Sequence, residues 1–494
     1  MPKNAAHHIA SLRDERRIYL DGVVVENHVD HPAFRESILS AAAMYEYQGQ
    51  PANVERMTFR SPGTGDKVSR MWQLPTTYAE LVERRNALES WARLSCGFFG
   101  RSPDHVASAL SGMYMGLELF QASGDRYGRA LSNYYEYARD NDLYLTYAIV
   151  NPQADRSKGS GEQANEFVAA GVVDEDGEGI TIRGAKMLAT ACPMANEVMV
   201  ASIQPLKEGE EQYSFTAMVP LEAKGLKLLS RKSFESSAVS KFDNPLSSSF
   251  DENDCTLVFD DVKVSWDRVF VHRNIRMAQD QWHAIPTHCY QNYQCQIRLM
   301  VKMRFLLGVA RRITEINGIL GFPAVKEALG QMAAEVSMVE ALVESMEISG
   351  SKFGRYFVPN SNRLYAASVL TQQLYPKFVH ALRELAGGGM IMLPSSIADF
   401  QNTETMDCIE RTQQSPVTDA LGRVKLFKLA WDAVGSEFGS RHLQYEMFYC
   451  GANMVTRGHS FRTYDWDKAA GLVDGLMSTY GPVPSKAKPI RQGK

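Results

Sequence analysis

The chain has 494 residues, a formal net charge of −4 and 22% charged residues. That length predicts two or three packed regions around a large core, while the mild acidity excludes a broad basic field for nucleic acid. The start MPKNAAHHIASLRDERRIYLDG lacks the apolar stretch of a secretory signal and no long uncharged apolar run follows, so a soluble cytoplasmic protein is expected, with no membrane partner.

From about residue 34 to 150 apolar residues recur at three and four, as in AFRESILSAAAMYEYQGQ and YAELVERRNALESWARLSCGFFG, with Gly, Pro and Asn at the breaks. This reads as amphipathic helices. Between about 151 and 275 the idiom changes to short β-rich runs separated by Gly and Asp turns, including EGITIRGAKMLATAC and DCTLVFDDVKVSW. Long helices return after 288, and several are apolar over more than one stripe, as helices buried between neighbours or subunits are. The expectation is an α+β protein: an N-terminal mainly helical domain (1–150), a central β domain (151–280), and a C-terminal helical bundle with tail (281–494). The apolar late helices favour an oligomer, and the basic tail SKAKPIRQGK reads as a solubilising or subunit-contacting end.

Within this frame GRSPDHVASAL, residues 100–110, looks like a helix start, with Ser102 as cap and Pro103 and Asp104 in the first turn. That leaves Arg101 and His105 without a structural reason. No GxGxxG follows a strand and no GxxxxGK[ST] occurs, so neither nucleotide fingerprint is present. AGGGM at 386–390 fits a helix end, or else a backbone surface lining a cofactor cleft.

The seven cysteines are scattered, which suits a reducing compartment. His288 and Cys295 lie two helical turns apart, yet no CxxC completes a ligand set, so no metal is expected. Three further stretches are richer than packing requires. TYAIVNPQADRS leaves a helical region through a Pro turn, GAKMLATACPMANEVMV sets Thr190 between apolar runs, and FGSRHLQYE places Arg441 and Tyr445 at i,i+4, where they could meet a phosphate or a subunit interface.

GRSPD, NPQADRS, GAKMLATACPMANE, IRLMVKMRFLLGVA, LAGGGMIMLPS and GSEFGSRHLQYEMFYCGA occur in this order along the chain. In these pieces the chain resembles the 4-hydroxyphenylacetate 3-hydroxylase family, the oxygenase component of two-component reduced-flavin-dependent hydroxylases on an acyl-CoA dehydrogenase-like fold. The resemblance implies a homotetramer that takes FAD as FADH2 from a separate NAD(P)H-dependent flavin reductase. It also implies O2 as co-substrate and hydroxylation of a phenolic or other electron-rich ring through a C4a-hydroperoxyflavin. It assigns Asn151, Pro152, Gln153 and Thr190 to the isoalloxazine, Arg441 and Tyr445 to FAD phosphate or adenine contacts across subunits, and Arg101 to the flavin and substrate.

Two positions depart from the family pattern. The residue after the GRSPD aspartate is commonly tyrosine and here is His105, while the family's histidine before NPQ is here Tyr147. Imidazole can accept a proton near neutral pH and tyrosine is mainly a donor, so His105 is expected to accept and Tyr147 to donate. Two alternatives are carried. One is a flavin and [4Fe-4S]-dependent hydroxyacyl-CoA dehydratase of related fold, evoked by Cys96, His288 and Cys295 but lacking a ligand at Gly100. The other is a non-enzymatic oligomeric scaffold.

Overall fold

The chain is described by a computed structural model covering residues 2–481; the tail SKAKPIRQGK lies outside the described residues. The principal N-terminal helices are α1 (Arg35–Gly49), α2 (Tyr78–Leu94), α3 (Pro103–Met115) and α4 (Asp125–Asp140). Local chemistry fixes several of their ends. Thr77 and Glu80 form a reciprocal capping box at the start of α2, and α4 turns Leu131, Tyr134, Tyr135 and Ala138 inward from one face. Helix α3 is buried nearly all round; Val106, Leu110 and Met113 each stabilise it by roughly 1.5–3 kcal/mol through loss of water contact. Its Ser102 sits at the N-cap position, but the hydroxyl donates to the Asp104 carboxylate instead of accepting from a helix N–H.

The β region forms two sheets. In chain order the strands are β1 (Arg17–Leu20), β2 (Val23–Val24), β3 (Leu145–Ala148), β4 (Gly171–Glu175), β5 (Gly179–Thr190), β6 (Glu197–Ala201), β7 (Phe215–Pro220), β8 (Leu226–Ser230), β9 (Asp254–Ser265) and β10 (Val269–His272). A six-stranded sheet runs β2-β1-β8-β9-β5-β4 and a four-stranded sheet β10-β7-β6-β3. Both recruit strands from before residue 151: β1 pairs parallel with β8, and β3 parallel with β6. Parallel partners need long connections, so such pairing has no local signature.

The principal helices of the C-terminal bundle are α5 (Ile275–His283), α6 (Thr287–Ile316), α7 (Pro323–Ile348), α8 (Ser361–Ala386), α9 (Ala420–Val434), α10 (Glu437–Phe448), α11 (Asn453–Thr463) and α12 (Trp466–Met477). The 30-residue α6 is the spine. At its start the backbone of Thr287 lies where a Cβ on Gly112 would stand, so the missing side chain lets α3 pack directly on α6. The AGGGM segment does end a helix: Gly387 closes α8 at φ +59°. Helix α12 buries no residue within the chain. Among the described residues no helix is long and apolar enough to cross a membrane.

Candidate active site

Arg101, at the entrance to α3, is a hub. One amino group, Nη1, lies 2.7 Å from His105 Nε2 and 3.7 Å from Cys295 Sγ; the other, Nη2, donates to Tyr147 Oη at 2.7 Å and to the Tyr449 carbonyl at 3.1 Å. Imidazole and phenol stack with centroids 5.1 Å apart, and the guanidinium lies over both the Tyr147 and Tyr445 rings. Burial opposes the charge of Arg101, but the Tyr147 and Tyr445 oxygens, Cys295 and Glu252 more than offset that and raise its pKa. No carboxylate touches the guanidinium. Glu252 accepts instead from the Arg101 backbone N–H.

This geometry fixes which nitrogen of His105 accepts. An arginine can only donate, so Nε2 must be the accepting nitrogen, and the Gln291 amide approaches the same atom at 3.3 Å. The proton therefore resides on Nδ1, which is buried without a partner. Burial first, then the positive charges of Arg101 and Arg298, holds the ring well below the usual imidazole range, so it is neutral. His105 thus accepts at Nε2 and carries its one N–H at Nδ1. Tyr147 stays a phenol because burial raises its pKa more than Arg101 lowers it. Its oxygen accepts from Arg101, so its own proton is free to donate.

A second group flanks this one. An isolated bridge between Val150 and Met187 brings the turn after β3 against β5, and Lys186 Nζ donates to Asn151 Oδ1 at 2.7 Å. Lys186 is buried with that one hydrogen-bond partner, and desolvation lowers its pKa to about 7. Sequence reasoning passed over it. The signal was there: Lys186 is in phase with Ile180 and Ile182, which period 2 assigns to the buried face of β5. Asn151 and Pro152 are half-buried and Gln153 is exposed, while Thr190 is buried and donates to Asp254 at 2.6 Å.

Arg441 and Tyr445 join the same neighbourhood. Arg441 binds Asp254 at 2.6 and 3.0 Å and Glu252 at 3.2 Å, and Asp254 is shared with Arg231. Tyr445 packs its ring beside Arg101, Arg298 and Arg441, with its buried hydroxyl unpartnered. A Cβ at Gly100 would overlap the Tyr445 phenol. That position has no room for a cysteine ligand, and the remaining members of the supposed cluster set part company: Cys295 meets Arg101 while His288 meets Tyr365. Neither cysteine belongs to the convergent ligand group found among the described residues. The dehydratase reading is left without a ligand shell.

The site thus sets a buried cation against a neutral imidazole and a phenol, beside the turn that the desolvated Lys186 of β5 contacts through Asn151. The family described as 4-hydroxyphenylacetate 3-hydroxylase matches with its N-terminal part over residues 4–271 and its C-terminal part over 278–478. The 4-hydroxyphenylacetate 3-monooxygenase oxygenase component of Geobacillus sp. is 33% identical over 438 residues, 88% of each chain. The oxygenase component of 4-nitrophenol 2-monooxygenase from Rhodococcus sp. is 33% identical over 97% of this chain and 92% of its own. The crystal structure of the oxygenase component HpaB, complexed with FAD and 4-hydroxyphenylacetate, superposes with a TM-score of 0.92 at 29% identity, covering 97% of this chain and 98% of that one. With both halves matched, and relatives alike along nearly their whole length, the chain belongs to the 4-hydroxyphenylacetate 3-hydroxylase family.

Proposed function

We propose that this chain is the oxygenase component of a two-component aromatic monooxygenase that takes FADH2 from a separate NAD(P)H-dependent flavin reductase and hydroxylates a phenolic ring with O2. The observation that carries this reading is the Arg101–His105–Tyr147 cluster, a fixed cation with two protons on offer. The residues fit a flavin on physical grounds. His105 Nδ1 and Tyr445 Oη are buried polar atoms with no partner, and Lys186 has a single acceptor. In this reading Asn151, Pro152 and Gln153 line the ring system and Lys186 faces its polar edge. Thr190, whose proton is committed to Asp254, offers that edge an acceptor. Arg441 acts here by holding Asp254 and Glu252 in place, and Tyr445 by walling the pocket. The bound FADH2 supplies the electrons that activate O2 for transfer of one oxygen atom to the ring.

The protein's part is placement and proton control. Arg101, His105 and Tyr147 together complement a phenolate oxygen, and donors aimed at that atom favour the ionised, electron-rich ring. The stacked side chains exclude water from the same face. A homotetramer completes the reading: α12 leaves Leu472, Val473, Leu476 and Met477 exposed, an apolar face that another subunit would cover. The seven cysteines, all unpaired, suit a cytoplasmic setting.

Two measurements test this. The isolated chain is expected not to oxidise NAD(P)H, yet to form hydroxylated product when mixed with chemically reduced FAD, O2 and a phenol such as 4-hydroxyphenylacetate or 4-nitrophenol. Rapid NAD(P)H consumption without added reductase would remove the two-component reading. The donor role of His105 is checked separately. H105N, whose amide N–H stands near the position of Nδ1, should keep most product formation with an unchanged pH profile from pH 6 to 8. H105F should lose about 10²-fold, the scale of one aimed donor. A wild-type ionisation in that pH range that disappears in H105N would instead make His105 a base.

A further inference from the structure

Where the end of α5, the start of α6 and α11 meet, three imidazoles converge. The ring centroids of His283 and His288 are 4.7 Å apart, those of His283 and His459 4.5 Å, and those of His288 and His459 5.1 Å. One ring nitrogen of each lies within 4.8 Å of the other two. The hydroxylation chemistry makes no use of them, and packing gives little reason to gather them: a buried imidazole carries polar atoms that need partners, and three at one point concentrate that cost. His288 and His459 are buried, while His283 is exposed and opens the group to solvent.

We infer that His283, His288 and His459 form a binding site for a divalent transition ion of the Zn²⁺ class, held by three imidazole nitrogens with a fourth position open to water or an anion. Imidazole suits Zn, Cu and Ni, and three histidines plus an exchangeable ligand is an established zinc arrangement. Metal–nitrogen bonds of about 2.0–2.1 Å set the nitrogens of a tetrahedral site ~3.4 Å apart. The group must therefore tighten, and His283, exposed at the last residue of α5, is free to swing in.

His288 is already braced for this. Its Nδ1 lies 2.9 Å from Tyr365 Oη, and a hydroxyl can accept from Nδ1–H, which leaves the Nε2 lone pair for a metal. Such an outer contact is what orients metal-bound histidines. Burial, reinforced by the neighbouring rings and Arg462, holds the His288 ring well below the usual imidazole range, and burial with Arg462 lowers His459 to about 4, so both are neutral near pH 7.

Arg462 gives the site a built-in competitor. Its Nη2 donates to His459 Nδ1 at 3.1 Å, so His459 now carries its proton on Nε2 and has no lone pair to spare. Ligation through either nitrogen requires this contact to break. Arg462 is exposed and can leave for solvent, so the ion and the guanidinium exclude one another.

The test is titration of the metal-stripped full-length protein with Zn²⁺ alone by calorimetry, with Co²⁺ absorption reporting geometry. Wild type should take up a single tight equivalent, and its Co²⁺ form should show the intense visible bands of a tetrahedral site. H283Q, at an exposed position that does not endanger the fold, should weaken binding by about tenfold or more, and H288Q and H459Q should do the same or worse. R462M should tighten it severalfold. Failure of wild type to bind stoichiometrically, H283Q binding as well as wild type, or R462M leaving the affinity unchanged would each overturn the proposal.

Discussion

Replacing Arg101 by methionine is expected to give a folded protein that forms product at least about 10²-fold more slowly per flavin oxidised, the scale lost when a fixed donor to a developing oxyanion is removed. The fold survives because no carboxylate is stranded: Glu252 keeps both the residue-101 backbone N–H and Arg441. Removing a buried charge that makes no ion pair costs little, since its own desolvation penalty goes with it. The chemistry fails for the opposite reason. One planar fork reaches His105 with one amino group and Tyr147 with the other, and methionine does neither. R101K should fall between, because an ammonium restores charge but is not the rigid fork that fixes both partners. Far-UV circular dichroism and light scattering would monitor folding and assembly, while product and peroxide would be measured per FADH2 consumed. Wild-type coupling in R101M would take Arg101 out of the site.

The largest stability effect is expected at Glu446. It is fully buried on α10 and receives two bonds from Arg298, one of 2.8 Å, and one of 3.0 Å from Lys302, both on α6. Breaking a buried pair by removing one partner strands the other, at about 3–5 kcal/mol, and here E446A strands two cations. The denaturation midpoint in urea should fall accordingly. An apolar triple replacement, R298M/K302M/E446L, should recover much of the loss, because it removes the desolvation penalty together with the attraction. Acidity should mimic E446A. Burial opposes ionisation, but Arg298 and Lys302 outweigh it and hold the carboxyl down to about 2, against 4.5 for a free glutamate. Its contribution is therefore complete above pH 4.5 and is lost as pH falls from there toward 2. A midpoint in E446A within measurement error of wild type would mean that the triad does not hold α6 to α10.

Local rules carried the sequence reading far. Helix periodicity, the Thr77–Glu80 box at α2 and the glycine that ends α8 are written in neighbouring residues, and so the order of helical, β and helical regions was legible. Arg101 stood out because a helix start does not need it, and the turn at Asn151 because proline opens a polar run there, although the residues before it, read as helical, form strand β3.

What the sequence did not determine is who satisfies whom. Strand β1 finds its partner β8 across some two hundred residues, a parallel pairing that no neighbouring residues announce. The proton position on His105 is set by Arg101 one turn before it and by Gln291 on α6. Arg441 meets Asp254 of β9 and Glu252 just before it, carboxylates nearly two hundred residues away in the chain. His459 meets His283 and His288 only because α11 folds back over the start of α6. By itself the sequence determined periodicity, caps and the inventory of donors and acceptors. Tertiary structure decided protonation, charge neutralisation and convergence, because each depends on desolvation and on partners distant in the chain, which no local pattern encodes.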